Sequence, residues 1–369
     1  MSSFRVELSA STELELAQTF AEWVSNGYYG SLRAGVHLVT SKVTIPERTG
    51  GYLSGQGSAR SQNPQNYAAG ATVLAANGIA DGEPIIEVNG EGWDFERLGF
   101  HGRSAVADAT YADYLLRVTD PGGGSANAGG LTLRNCVLSY ADTALLQLGQ
   151  TAGEDHCEHT IIEQCRFTDA PVAVQVNNAQ AMGHVATMTY YSNCPICWQM
   201  NGGGNLTLVN PVVLSPGMTL VKNVHMETNN CTLVINNFKF DNQATSGILY
   251  ESAPEDANGN GWGQVVVNGG MTSRADYAAN NWYLAKVGEG QSMTMNGVWK
   301  LQAGMFRWHA SNAYSVANYI LVGCMIPSDP ATLMATTYST GTARLQTYGC
   351  HQNNGDTVAN HNATYAGTA

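Results

Sequence analysis

The sequence predicts an all-β fold, a parallel β-helix of about ten stacked coils, and three observations support this. A short apolar motif built around a turn residue recurs along the chain, mostly 26 to 31 residues apart. The apolar positions of each copy change parity at the turn residue. The chain has 41 glycines, and only 12 % of its residues are charged. Recurrence at about 20 to 50 residues is typical of solenoids, and this composition favours stacked strands and tight turns over helices.

Each copy of the motif has an apolar residue, a spacer, a pivot that is usually Asn or Gly, and apolar residues one and three positions later. The pivots are Arg97, Asn135, Gln164, Asn193, Asn210, Asn237, Asn268, Asn296, Gly323 and Gly349. Asn and Gly tolerate the left-handed backbone region, so they turn one strand sharply into the next. Apolar positions on both sides of the pivot stay inside only if the chain bends there. We therefore predict a file of turns in which stacked Asn side chains hydrogen-bond along the axis.

One step between pivots does not fit this rhythm. Asn193 and Asn210 are only 17 residues apart, which is short for a coil of three strands of about 5 residues each. Either this coil is unusually tight or the register slips near Asn193.

The chain before residue 50 is predicted to cap the β-helix. Thr12 and Glu15 fit a capping box, and Leu16, Phe20 and Val24 follow at helical spacing, so we predict a helix over 13–26. A solenoid needs a cap at its apolar end. The β-helix then covers 51–350, and 351–369 form a polar tail that is either loose or packed against sister subunits.

The cysteines and one tryptophan are predicted to lie in the core. Cys136, Cys165, Cys194, Cys324 and Cys350 each follow a pivot, which indicates a column of buried thiols acting as small apolar side chains. Cys194 and Cys197 form a CxxC pair, for which a zinc or redox site is the alternative. Trp299 stands three positions after Asn296 and is expected to point inward.

Charge and hydropathy limit the partners. The formal net charge is −12, with no run of Lys or Arg, which disfavours binding to nucleic acids and to anionic membranes. No apolar run reaches membrane-spanning length. The N-terminal residues lack the apolar core of a secretion signal, so we expect folding in a cytosol unless a leader has been removed.

The order of these parts resembles the pectin-lyase-like right-handed parallel β-helices. The resemblance rests on the capping helix, "AGVHLVTSKVTIP", "GYLSGQG", "ATVLA", "PIIEVNG" and the repeated coils, and it covers about residues 12–350. It implies a right-handed β-helix, and it is closest in character to bacteriophage tailspike proteins. The superfamily also holds pectate lyases and polygalacturonases. Their catalytic motifs are missing, and His101-Gly102 matches only half of one element, so no catalytic residue is carried over.

The densest group of ionisable residues is predicted to be catalytic. Three carboxylates and two histidines fall in one connection that ends at His159, and the predicted catalytic residues are Glu154, Asp155, His156 and Glu158. Glycoside cleavage needs an acid and a base or nucleophile, usually two carboxyl groups. The alternatives are an exposed connection between two coils and a metal site built from His156, Cys157 and His159.

Two further sites are predicted from residue type. Asp256, Asn258 and Asn260 match the start of a calcium loop, although Val267 stands where the last ligand would be, and a plain turn is the alternative. The flat rings of four aromatic residues are candidate sugar platforms, with packing under a loop or against a neighbouring subunit as the alternative; they are Trp198, Trp262, Trp282 and Tyr283.

These observations leave three hypotheses for the function. The first is a homotrimeric phage tailspike or fibre, folded in the host cytoplasm and joined to other virion proteins, which binds host cell-surface polysaccharide and in one version depolymerises it. The second is a free, secreted polysaccharide lyase or glycoside hydrolase. The third is a structural virion component without a ligand. No cofactor is predicted beyond the calcium alternative.

Overall fold

The structure is a computed structural model, and it describes most of the chain. The described residues are 17–46, 50–57, 70–103, 111–119, 129–150, 157–177, 183–201, 204–224, 231–240, 247–252, 263–272, 283–288, 290–309, 316–336 and 339–368. Their strands pair in parallel from coil to coil, which confirms the predicted parallel β-helix. Each coil contributes to three faces, which we call the first, second and third face in chain order.

The first face is the longest and leads into the pivot. Its strands are Ala17–Gln18, Tyr29–Leu32, Gly51–Ser54, Trp93–Glu96, Thr132–Arg134, Ile161–Glu163, His184–Thr187, Leu206–Val209, Cys231–Phe240, Gly263–Met271, Ser292–Asn296, Ala317–Val322 and Thr342–Tyr348. Every neighbouring pair in this series runs parallel.

The second face follows the pivot and is made of short strands. They are Gly35–Val39, Thr72–Ala76, Gly99–His101, Val137–Ser139, Arg166–Thr168, Tyr190–Ser192 and Val212–Val213, and the ends of Cys231–Phe240 and Gly263–Met271 continue them.

The third face is a separate sheet. Its strands are Val43–Ile45, Pro84–Val88, Tyr114–Val118, Ala144–Leu148, Val172–Val176, Ile196–Met200, Thr219–Asn223, Ile248–Ser252, Ala285–Gly288 and Phe306–His309. In the described part of the chain this face therefore has ten strands, in agreement with the predicted number of coils.

A file of left-handed residues joins the first face to the second, and it corrects the predicted register. Its members, all with φ between 51° and 66°, are Arg97, Asn135, Gln164, Met188, Asn210, Asn237, Gly269, Gly297, Gly323 and Gly349. Met188 replaces Asn193, so the steps of 29 and 17 residues become steps of 24 and 22 residues. Asn193 belongs to a second file of left-handed residues, with Tyr140 and Asp169, between the second and third faces.

The register is also shifted by one residue in two later coils. There Gly269 and Gly297, rather than Asn268 and Asn296, take the left-handed conformation. Glycine has no Cβ, so it occupies this region at less cost than Asn. The shift moves Trp299 from the third to the second position after the pivot, where the side chain points outward. Trp299 is 56 % exposed, so the prediction that it lies in the core is wrong.

The inward positions form one continuous apolar core. Phe95, Leu98 and Phe100, around the first pivot, are all buried, which confirms the predicted change of parity. The seven cysteines whose side chains are described are buried and free, and they include Cys194 and Cys197. They therefore contribute to the core as small apolar groups.

Asn side chains form ladders along the outside of the turns, as predicted. Asn237 Nδ2 donates to Asn210 Oδ1 over 2.8 Å. One position earlier, Asn268 donates to Asn236 over 2.9 Å and Asn296 donates to Asn268 over 2.8 Å. Each amide pair ties one coil to the next.

The N-terminal helix is shorter than predicted, and it begins later. It spans Phe20–Ser25, and its capping box is formed by Thr19 and Glu22. Thr12 and Glu15 lie outside the described residues, but Ala17–Gln18 already forms a strand against Tyr29–Leu32. The prediction of one continuous helix over 13–26 is therefore wrong, because residues 17–18 pair as a strand and the second capping box starts the helix at Phe20. Buried Trp23 anchors the helix to the core.

The C-terminal tail closes the far edge of the first face. Strand His361–Ala366 pairs antiparallel with Thr342–Tyr348. An unpaired edge strand would be a template for aggregation, and this strand covers that edge within the same chain, whereas a loose tail or one packed against sister subunits was expected. Among the described residues, no helix is long and apolar enough to cross a membrane.

Replacing Met188 by Asn is expected to raise the free energy of unfolding by about 1 kcal/mol. Met188 holds φ at 51° with 44 % of its surface exposed, and Asn tolerates that conformation and would stand beside Asn210. Urea unfolding followed by circular dichroism measures the change. The matched control is Gly323→Ala, which adds a Cβ to open space at φ 59° and should destabilise by a similar amount. Equal unfolding midpoints for the wild type, Met188→Asn and Gly323→Ala would show that the left-handed conformation at these turns does not affect stability.

Candidate functional site

A group of charged side chains lies on the outward surface of the first face, near the N-terminal end of the β-helix. Register places Glu96, Arg134 and Glu163 side by side on three neighbouring strands. Asp94 is two residues before Glu96 on the same strand, and Tyr52 is its partner on the preceding strand. Alternate residues of a strand share one face. We call these five residues the charged cluster.

Arg134 is the centre of the charged cluster. Its Nε lies 3.0 Å from Glu163 Oε2, and its Nη1 lies 3.8 Å from Asp94 Oδ1. The hydrogen bond to Glu163 is charge-assisted, and the planar guanidinium fixes the carboxylate in position. The side chains of Arg134, Asp94 and Glu163 are 43 %, 42 % and 47 % exposed, so a ligand on this face can reach them.

Glu96 is held separately, on the other side of Arg134. Tyr52 donates its hydroxyl to Glu96 Oε2 over 3.0 Å, and Arg97 Nε lies 3.6 Å from Glu96 Oε1. Burial, together with the nearby Glu96 carboxylate, raises the pKa of the Tyr52 phenol. The phenol therefore stays protonated near neutral pH and remains a hydrogen-bond donor.

The backbones of the two glutamates are about as far apart as the carboxyl groups of an inverting glycosidase. Glu96 and Glu163 are two strands apart, which corresponds to about 9.6 Å between their backbones. Inverting glycosidases place their carboxyl groups about 6.5 to 9.5 Å apart, leaving room for a water molecule. The cluster thus combines two flanking carboxylates, a third carboxylate and a cation on one accessible surface.

The predicted catalytic connection is only partly described. Glu154, Asp155 and His156 lie outside the described residues. Glu158 is half-buried, and its Oε2 lies 3.7 Å from Nε2 of His159. Its backbone carbonyl accepts a hydrogen bond from Gly130, at the corner just before strand Ile161–Glu163. This connection therefore leads directly into the strand that carries Glu163.

The predicted aromatic platforms have different positions. Trp198 is fully buried, and its indole N–H donates to the Tyr191 hydroxyl over 2.7 Å. It has no exposed ring face, so its assignment as a sugar platform is wrong; it points inward from the third face. Tyr283 is half-buried below the Arg307 guanidinium, 4.8 Å from the ring centroid. Trp262 and Trp282 lie outside the described residues.

No metal centre is found in the described part of the chain, where no three His, Cys, Asp or Glu residues are placed to hold an ion. The predicted calcium ligands Asp256, Asn258 and Asn260 lie outside that part.

The charged cluster was missed at the level of sequence, although a signal for it was present. In the first three copies of the motif the spacer residue is Glu96, Arg134 and Glu163. A spacer precedes a turn and points outward, so equivalent spacers stack. Alternating charges in this one column predict an ionic row on the surface.

Comparison with known proteins adds little. No family model matches the chain, and no curated protein matches it. Among solved structures, the chain is similar to a PL6 family alginate lyase, AlyGC, solved as a mutant. The identity is 9 % and the TM-score is 0.19, over 91 % of this chain and 76 % of the lyase chain. A likeness of this size carries no conclusion about activity. The chain is, by its own architecture, a parallel β-helix protein with a charged site on its first face.

Proposed function

We propose that this protein binds a polysaccharide along its first face and hydrolyses it at the charged cluster. The observation that carries the proposal is the in-register row of Glu96, Arg134 and Glu163. A flat parallel face suits an extended polymer. The row supplies the two carboxyl groups that glycoside hydrolysis requires.

The chemistry follows from the positions of the two glutamates. One carboxyl group donates a proton to the glycosidic oxygen as the bond to the anomeric carbon breaks. The other accepts a proton from the water molecule that attacks this carbon from the opposite side. Arg134 orients Glu163 through the 3.0 Å hydrogen bond, and it is free to bind a sugar hydroxyl or carboxylate with its other donors.

The setting that we propose is a phage appendage of the tailspike type, which recognises polysaccharide on the host cell surface. A solenoid of this kind presents long lateral faces both to a glycan and to sister subunits. The residues that support subunit association are four apolar side chains on four consecutive coils, 39 % to 56 % exposed. We call them the apolar strip: Met271 and Trp299, paired on the second face, and Val322 and Tyr348, paired on the first face just before the turn.

Association through the apolar strip gives a prediction. The native mass of the protein should correspond to a trimer, and Trp299→Glu should shift it toward the monomer, because a charge would have to be buried without a partner. Native mass spectrometry or light scattering measures the shift. The control is Val36→Glu, which adds a charge at an exposed apolar residue near the N-terminal end. A monomeric wild-type protein would contradict both the strip's role and the trimeric spike.

The enzymatic proposal is tested with capsular and lipopolysaccharide glycans from a panel of bacteria. Hydrolysis releases reducing ends without new ultraviolet absorbance. A lyase would instead produce an unsaturated sugar that absorbs in the ultraviolet, and this outcome would favour the alternative of a polysaccharide lyase. If no glycan is bound or cleaved, the protein is a structural component, and the charged cluster is only a surface ionic row.

A further inference from the structure

A second polar row lies on the outward surface of the third face, in the C-terminal half of the β-helix. Register places Lys222, Glu251, Lys286 and Arg307 next to one another on four consecutive strands. All four are partly exposed, since the residues that alternate with them point into the core. This row is on a different face from the charged cluster.

The row carries more positive than negative charge. Lys222 Nζ lies 3.9 Å from Glu251 Oε2, and the Tyr283 hydroxyl is close enough to Glu251 for the carboxylate to raise the pKa of Tyr283. The single carboxylate is thus shared by two partners. Lys286 has no ion-pair partner among the described residues. Three cations face one carboxylate in a chain with 17 basic and 29 acidic residues.

The order of the charges brings two cations together on neighbouring strands. Lys286 and Arg307 are direct register partners, so two like charges lie on strands about 4.8 Å apart. Like charges directly opposite each other destabilise a sheet. An anion bound between the two side chains would convert this repulsion into two charge-assisted hydrogen bonds.

Tyr283 holds part of this site in place. The Arg307 guanidinium lies 4.8 Å from the centroid of its ring, a distance at which a cation is attracted to an aromatic face. Burial, and then the Glu251 carboxylate, raise the pKa of Tyr283, so the phenol remains uncharged and does not compete with an incoming anion. The ring thus positions the guanidinium at the surface.

We infer that Lys286 and Arg307 form a subsite for the carboxylate or sulfate groups of an acidic polysaccharide, with Tyr283 positioning Arg307. The inference rests on the proposed function in one respect, since it takes the ligand to be a polysaccharide, and it adds that the ligand is anionic. It assigns an anchoring role to the third face, separate from cleavage on the first.

The experiment compares Lys286→Gln with the wild-type full chain by isothermal titration calorimetry. The probes are polygalacturonate, dextran sulfate, uncharged dextran and single-stranded DNA. Lys286→Gln should weaken binding of the two anionic polysaccharides about tenfold, which is about 1.4 kcal/mol. Lys286→Arg should restore it. Lys239→Gln makes the same change of charge at an exposed residue outside the third face, and it should leave the affinity unchanged.

The unfolding midpoint without ligand separates a binding role from a structural one. Lys286→Gln should be as stable as the wild type or more stable, because a repulsion is removed. A lower midpoint together with unchanged affinity would show that Lys286 only supports the fold and would overturn the inference. An equal loss of affinity in Lys239→Gln would reduce the effect to net charge, and DNA binding as tight as polygalacturonate binding would overturn the ligand class.

This inference and the proposed function can fail separately. If Lys286→Gln keeps full affinity while Glu163→Gln loses cleavage, the third-face subsite is rejected and the hydrolase remains. If Lys286→Gln loses affinity while the wild type cleaves nothing, the anionic subsite remains and the hydrolase is rejected.

Discussion

Replacing Glu163 by glutamine is expected to lower the turnover of polysaccharide cleavage about 10²- to 10⁴-fold, which is the usual contribution of a general acid or base. Glutamine keeps the size of the side chain but cannot exchange a proton. The Arg134–Glu163 pair is nearly half exposed, and exposed ion pairs contribute little to stability. The variant should therefore fold normally and bind polysaccharide with little change in KM. Reducing-end assays over a range of substrate concentrations give kcat and KM separately.

Glu96→Gln should cause a loss of similar size, because the two carboxyl groups act together. Azide added to the reaction replaces the water molecule that the base activates, so it should restore turnover only in the variant that lacks the base, which assigns the two roles. Asp81→Asn serves as the control, since Asp81 is exposed and outside the charged cluster. Full activity in both glutamine variants would remove the charged cluster from the mechanism.

Lowering the pH from 8 to 4 is expected to reduce the free energy of unfolding of the wild-type protein by about 3 kcal/mol more than that of His184→Leu. His184 is 1 % exposed, and neither ring nitrogen has a hydrogen-bond partner among the described residues. Burial, with a further contribution from His159, lowers the pKa of His184 to about 4. Since an unfolded histidine has a pKa near 6.5, the unfolded state binds the proton more strongly. His184 therefore does not reduce the free energy of unfolding above pH 6.5, and its effect grows as the pH falls to about 4, because the unfolded state takes up the proton first.

Urea midpoints at pH 8 and pH 4 measure this difference. Leucine is the natural replacement, because Leu206 occupies the equivalent position on the next strand. The variant should also be more stable at pH 8, since a buried polar ring without partners is costly. The same pH dependence in both proteins would show that other groups control the loss of stability in acid.

Much of the first and second faces could be predicted from the motif. The pivot, the change of parity and the column of thiols are local features, since each depends on the conformational range and the polarity of a few consecutive residues. Phe95, Leu98 and Phe100 are buried as the pattern required.

The errors in register have a physical cause as well. Where Asn is followed by Gly, as at Asn296 and Gly297, either residue tolerates a left-handed turn, and the sequence pattern alone does not choose. Strand pairing determines which residue takes the left-handed conformation: Asn296 pairs with Val322 as the last residue of its strand, so the turn falls on Gly297. This one-residue shift moved Trp299 from the core to the surface, where it joined the apolar strip.

The two polar rows differ in how far they could be predicted. Three of the five residues of the charged cluster, Glu96, Arg134 and Glu163, stand in the spacer positions of three motif copies, and aligning these copies predicts their row. The row on the third face had no such marker, because connections of unequal length separate its strands from the motif. Lys222, Glu251, Lys286 and Arg307 are distant from one another in sequence and become neighbours only through register.

The amino-acid sequence by itself determined that the chain turns at regular intervals and buries one side of every strand, since backbone preference and side-chain polarity act over a few residues. Only the tertiary structure decided which charges and rings stand next to each other on the outer surface. Those neighbours lie one coil apart, and the stacking of coils is settled by hydrogen bonds between strands that are tens of residues apart in the chain.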